Sequence, residues 1–172
     1  MKLLYVNGFR EDDKLSSTYL RLKEAGFDIK PCQWKYGDDV RKKIDECIKK
    51  IKPDLIVASS TAGLFVTDYD IPVILINPVV DRKDLEKLFP DKDFINYPLK
   101  ASKKFPYIGL ILGEKDEILD YKKALEFFKD ADDVIILKNE GHRLKNIEPL
   151  VKQIADYIAF EENMVWIDRS EF

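Results

Sequence analysis

Histidine is almost missing from this sequence: His142 is the only one in 172 residues. Cysteine is nearly as scarce, with Cys32 and Cys47 in no CxxC pair and far along the chain from the histidine. That scarcity argues against a zinc site, so no metal is expected, and the thiols suit a reducing compartment. Neither GxGxxG nor GxxxxGK[ST] occurs, which leaves nucleotide binding without a motif and implies no cofactor. No charge sign dominates. Twenty-nine Lys and Arg against 32 Asp and Glu leave a formal net charge of -3, so no global field favours nucleic acid or an anionic membrane. The pairs Lys42-Lys43, Lys49-Lys50, Lys103-Lys104 and Lys122-Lys123 lie among acidic residues and read as solvated helix faces. Long apolar runs are absent too. None approaches the roughly 20 residues that span a bilayer. Leu3 to Val6 is too short for a signal peptide and is ended by Asn7-Gly8. Cytoplasmic residence is the expectation, with neither membrane nor nucleic acid as a partner.

What is present suits a globular chain. Hydrophobic residues make up 45% and charged residues 35%, enough to bury a core and remain dissolved, and residues 1–172 read as a single domain. Short continuous apolar runs, expected of buried parallel strands, occur at Leu3 to Val6, Leu55 to Ala58, Val73 to Ile76, Tyr107 to Leu112 and Val134 to Leu137. Phe27 to Trp34 alternates and reads as a further strand. Helical spacing appears around Leu15 to Leu22, stopped by Gly26, and at Val40 to Ile51, Asp81 to Phe89, Leu119 to Phe128 and Ile147 to Phe160. A short helix is expected to start near Thr61, and Pro90 to Pro106 reads as irregular. Strand and helix alternate along the whole chain, which implies βαβ units and a mainly parallel sheet with helices on both faces. In such a sheet, functional residues follow the carboxyl ends of strands.

Three polar segments meet that requirement: Ser59-Ser60-Thr61, Glu114-Lys115-Asp116 and Gly141-His142. Their chain order, serine then acid then histidine, is that of one class of nucleophilic hydrolases. The residue types fit the chemistry. A serine hydroxyl is a poor nucleophile until a base takes its proton, and a carboxylate must hold the imidazole in the right tautomer. A G-x-S-x-G elbow needs small residues two before and two after its nucleophile. Centring it on Ser60 puts Ala58 and Ala62 there, whereas centring it on Ser59 would put β-branched Val57 and Thr61 there. With both glycines replaced by alanine, the motif alone competes with an ordinary Ser/Thr helix cap. His142 sits behind a glycine, between the last strand and the last helix. Asp116 follows Gly113; Asp120 is its rival but suits the N-cap of the next helix, and Glu114 is a third candidate. An oxyanion hole requires two backbone N–H groups. Thr61, at a helix start whose dipole favours an anion, is one candidate donor. Phe9 in Asn7-Gly8-Phe9 is the other, with Asn7 shaping that loop.

These pieces resemble a known family. Leu4-Tyr5-Val6-Asn7-Gly8-Phe9 is similar to the LLYLHGF-type start of the small YqiA-like esterases of the α/β-hydrolase superfamily. Val57 to Leu64 resembles their VGSSLGG elbow, Ile76-Asn77-Pro78-Val79-Val80 their VNPAV stretch, Gly113 to Tyr121 their GDEVLDY segment and Gly141-His142 their GNHAF loop. The resemblance runs in order from residue 3 to about residue 158. It implies a three-layer α/β-hydrolase-like fold with a minimal lid or none. It also implies Ser60 as nucleophile, Asp116 as acid, His142 as base, and a small acyl ester or thioester as substrate. The family's first-loop histidine is Asn7 here. Together with the altered elbow, that departure keeps open a binding protein on a hydrolase scaffold. The only insertion long enough to form a small cap is residues 78–106: either a crossover helix with a surface loop, or a cap whose Phe94, Tyr97 and Phe105 would line an acyl pocket beside Asn7.

Overall fold

The structure is a computed structural model. It describes residues 1–9, 14–66, 69–94, 97–101 and 106–170, with side chains through residue 163. Among these, six strands form one sheet: β1 (Leu3–Val6), β2 (Ile29–Cys32), β3 (Leu55–Ser59), β4 (Val73–Ile76), β5 (Ile108–Gly113) and β6 (Asp133–Leu137). Their spatial order is β2-β1-β3-β4-β5-β6, and every neighbouring pair is parallel. The helices are α1 (Ser17–Glu24), α2 (Val40–Ile51), α3 (Arg82–Leu88), α4 (Tyr121–Phe127) and α5 (Glu148–Ser170). A 3₁₀ turn, Ser60–Leu64, follows β3 directly.

Two core layers follow from the two-residue period of the strands. Leu3, Tyr5, Leu55, Val57 and Ile74 face Tyr19 and Leu22 of α1 and Leu150, Ile154 and Tyr157 of α5. The alternate residues Leu4, Val6, Ile56, Ala58 and Leu75 face Val40 and Ile44 of α2, Leu85 of α3 and Ala124 of α4. With both faces covered, the inner strands must be apolar throughout, which is why β1 and β4 are buried at every position. Each fully buried Leu or Ile side chain contributes about 1.5–3 kcal/mol. β6 is an edge strand and reads differently: Val134 and Ile136 are exposed while Ile135 and Leu137 pack on the α5 side.

The helix starts follow local chemistry. Asp39, Asp81 and Asp120 cap α2, α3 and α4, their carboxylates accepting from the amides of Lys42, Asp84 and Lys122. Asp81 and Asp84 also hold Lys123 Nζ at 3.0 and 2.7 Å, which joins α3 to α4.

The clearest differences in extent from the sequence expectations are at β2 and α5. β2 spans only Ile29–Cys32 rather than Phe27 to Trp34; beyond its end the Trp34 indole donates to the Asn7 carbonyl at 2.8 Å. α5 continues past Phe160 to Ser170. Residues 90–94 and 97–101 form no helix or ladder strand, and the segment returns to pair with the start of α3 through Arg82 N to Leu99 O and Ala101 N to Val80 O. Phe105 lies outside the described residues.

Register decides what the carboxyl edge of the sheet presents. Val6 aligns with Ala58, Ser59 with Ile76, and Gly113 with Leu137. The residues just beyond, Asn7, Ser60, Asn77, Glu114 and Lys138, therefore emerge along one edge. The order of the sheet reverses at β1, since β2 lies on one side of it and β3 on the other. A reversal of strand order of this kind is where sheets of this class place their sites, at the carboxyl ends of the strands.

Candidate active site

Ser60 opens the 3₁₀ turn with φ +52°, a left-handed conformation rare for a residue with a side chain. The sharp reversal lifts its hydroxyl off the end of β3. Ala58 and Ala62, flanking it at two residues' distance, are fully buried where strand and turn approach each other. Ser60 Oγ lies 3.0 Å from His142 Nε2, and His142 Nδ1 lies 2.8 Å from Asp116 Oδ2. The structure therefore brings together the three side chains expected from the sequence. The Asp116 carboxylate is 2% exposed and the imidazole 11%. Asp116 Oδ1 accepts from the amides of Ile118 and Leu119, both at 2.8 Å, so only Oδ2 is left for the histidine. An ionised carboxylate only accepts hydrogen bonds. With Nδ1–H donating to Oδ2, the Nε2 lone pair faces Ser60. Glu114, the third candidate for the acid, is exposed, and the imidazole Nδ1 is bonded to Asp116 instead. Asp120 caps α4.

The loop after β1 is stapled to the serine turn. Gly8 N donates to Ser59 Oγ at 3.3 Å, and Phe9 N donates to Thr61 Oγ1 at 2.5 Å. Tyr5 Oη donates to Ser59 Oγ at 3.1 Å. Gly8 keeps the approach close, since a Cβ there would crowd Ser59 O at 3.0 Å and Ser60 Cβ at 3.2 Å. The expectation that the Phe9 amide stands free to receive an anion is corrected here, since the Thr61 hydroxyl occupies it. The Thr61 amide lies in the first turn, where N–H groups have no helical partner.

Sequence reasoning assigned no role to Asn77. Its side chain clamps the histidine loop: Nδ2 donates to Gly141 O at 3.1 Å and His142 O at 2.9 Å, while Oδ1 accepts from Gly113 N at 2.7 Å. The residue is 4% exposed and adopts φ +42°. A polar Asn directly after an all-apolar strand was the available signal. Gly113 supplies the clearance, since a Cβ there would lie 2.6 Å from the carbonyls of Glu140 and Gly141. On the solvent side, Glu117 Oε2 accepts from His142 N at 3.1 Å. Hydrogen bonds from its own amide and from that of His142 hold the Glu117 carboxyl below the usual carboxylate range. Asn77→Ala orphans Gly113 N and two carbonyls. It is expected to cost about 2–3 kcal/mol in urea unfolding; a loss under about 0.5 kcal/mol would assign no weight to the clamp.

Ser60 and His142 open into a cleft of about 690 Å³ whose walls include Asn7, Phe9, Leu88, Phe89, Ile118 and Leu144. Phe94 and Tyr97 do not reach it. Phe94 packs behind Phe89 at 6.3 Å and against Tyr97 at 5.1 Å between ring centroids. The correction has a simple cause: residues 94 and 97 lie on the return of the segment, whereas Leu88 and Phe89, at the end of α3, line the cleft with Ser60. Phe89 meets Phe9 edge-on at 4.6 Å. Among the described residues, no cluster of three His, Cys, Asp or Glu side chains could hold a metal. No helix among them is long and apolar enough to cross a membrane.

This architecture is the α/β-hydrolase fold, and solved structures agree. Est1E from Butyrivibrio proteoclasticus superposes with a TM-score of 0.66 at 15% identity, covering 95% of this chain and 88% of that one. The ydeN gene product from B. subtilis gives 0.64 at 14% identity, covering 92% and 100%. The Paleococcus ferrophilus monoacylglycerol lipase gives 0.62 at 16%, covering 90% and 92%. Residues 91–159 match the model of the Uncharacterised protein family UPF0227. That stretch holds both the Gly113 to Tyr121 and the Gly141-His142 pieces of the YqiA-like resemblance. No curated protein matches the chain in sequence.

Proposed function

We propose that the chain is a serine hydrolase, an esterase or thioesterase for small acyl substrates, working through an acyl-enzyme on Ser60. The observation that carries this reading is the continuous hydrogen-bond chain from Ser60 Oγ through His142 to Asp116, opening into a cleft of mixed lining, with Phe9, Leu88, Phe89 and Leu144 beside Ser16, Thr18 and Arg143. The acyl group lies between Phe9, Leu88 and Phe89, with its carbonyl carbon above Ser60 Oγ. Oγ attacks that carbon while His142 Nε2 takes its proton. The carbonyl π pair moves to oxygen and is received by the Thr61 amide. Collapse of the tetrahedral species expels the alkoxide or thiolate, to which the imidazolium returns the proton. Water, deprotonated by the same imidazole, then releases the acid from Ser60. Asp116 orients and stabilises the imidazolium, with its other oxygen anchored by two amides. Remote apolar contacts with the acyl chain position the carbonyl, so acyl length governs turnover as well as affinity.

A fluorophosphonate tests the reading directly. Incubation followed by peptide mass spectrometry is expected to find the phosphonyl adduct on Ser60 and no adduct on Ser59. A native, folded chain that takes up no label and hydrolyses neither short-chain p-nitrophenyl esters nor acyl thioesters would be a binding protein on this scaffold.

A further inference from the structure

We infer that the Thr61 side-chain hydroxyl is a catalytic residue, donating to the oxyanion in the position otherwise filled by the loop amide of Phe9. The inference rests on the serine-hydrolase reading of the same site and adds a residue to it. An acyl-transfer site needs two donors aimed at the developing anion. One is the Thr61 amide. The second expected donor, Phe9 N–H, is already committed to Thr61 Oγ1 at 2.5 Å. That bond uses a lone pair of the hydroxyl oxygen and leaves its proton free, because a hydroxyl accepts and donates at once. Among the described residues that proton has no acceptor.

Its position fits the role. Thr61 is 1% exposed, borders the cleft with Ser60 and His142, and has Oγ1 against the Gly8 backbone, whose virtual Cβ would lie 3.4 Å from Oγ1 and 3.2 Å from Ser60 Cβ. The hydroxyl is held at the nucleophile by a donor behind it. Phe9 N–H polarises the oxygen, which makes the O–H a stronger donor, and hydrogen bonds in series reinforce one another. As the Oγ–C bond forms and the carbonyl pair moves to oxygen, the new anion receives two hydrogen bonds from one residue, N–H and O–H, with the Phe9 amide in series behind the second. No proton leaves Thr61; the one released by Ser60 goes to His142. Alanine and valine lack this donor, while serine retains it.

The experiment compares Thr61→Val, Thr61→Ser and wild type on p-nitrophenyl acetate, with wild-type labelling at Ser60 by the fluorophosphonate as the control for the reading beneath it. Thr61→Val keeps the shape and β-branching and deletes the hydroxyl. It is expected to lower kcat by about 10²-fold with KM little changed, as loss of one oxyanion donor does. Thr61→Ser is expected to recover most of that loss. Thermal unfolding of each variant separates catalysis from folding, and Thr61→Ala provides the same comparison if the valine variant does not fold. Thr61→Val turning over as fast as wild type, or faster, would overturn the inference. The hydroxyl would then be a stopper on the Phe9 amide, which its removal frees. A wild type that neither labels nor hydrolyses overturns the hydrolase reading itself, a different result from either.

Discussion

Ser60→Ala and His142→Ala are each expected to reduce kcat for ester hydrolysis by on the order of 10⁵–10⁶-fold, and the double variant by little more than either. Groups that act as one unit are non-additive in this way, because removing the nucleophile or its base disables the same step. The geometry supports that coupling: Ser60 Oγ has the imidazole Nε2 at 3.0 Å and loses its base when the ring is removed. Ser59→Ala is the matched control. Its hydroxyl accepts a 3.3 Å bond from Gly8 N and one from Tyr5 Oη, while the imidazole is bonded to Ser60 instead, so much of the activity should survive. Steady-state kinetics on a chromogenic ester, with thermal unfolding to verify the fold, decides the matter. Equal turnover by Ser60→Ala and wild type would end the enzyme reading.

Asp116→Asn is expected to lower kcat by about 10⁴-fold with little change in stability. The reason lies in how the carboxylate is divided. Oδ1 accepts from the amides of Ile118 and Leu119, and an asparagine oxygen can keep both bonds. The amide nitrogen would then face His142 Nδ1, which must accept rather than donate. The ring proton moves to Nε2, and the lone pair that should take the Ser60 proton is lost. Asp120→Ala should show the opposite profile. Its carboxylate accepts from Lys122 N at 3.0 Å as the cap of α4, so its loss is expected to cost about 1 kcal/mol in denaturant unfolding and to leave kcat alone. A large kcat loss at residue 120, with full activity in Asp116→Asn, would transfer the acid's role to Asp120.

Much of the molecule was legible because local rules govern it. Continuous apolar runs at residues 3–6, 55–58 and 73–76 mark strands buried on both faces, and all three appear there, β3 running one residue further. The aspartates before α2, α3 and α4 mark helix starts through the amides they satisfy. Less legible were features that depend on chain segments meeting at a distance. Asn77 is an ordinary residue after a strand until register places it beneath residues 141 and 142. Phe94 and Tyr97 carry the right chemistry for an acyl wall, yet the return of their segment turns them behind Phe89, where they build the aromatic layer instead.

Sequence by itself determined the alternation of strands and helices, hence the parallel sheet, and the rule that chemistry-bearing residues follow strands. It also singled out the one histidine, the serine flanked by small residues and the aspartate with no helix to cap. Each of these follows from side-chain size, polarity and spacing along a few residues. Tertiary structure alone decided that a serine and a histidine 82 residues apart lie within a hydrogen bond of each other. It likewise decided that Thr61 occupies the Phe9 amide and that Leu88 and Phe89, rather than their neighbours, wall the cleft. Those outcomes depend on strand register and on the direction in which each loop leaves the sheet. A shift of about 1 Å, invisible in any local pattern, is enough to make or break the contact on which they rest.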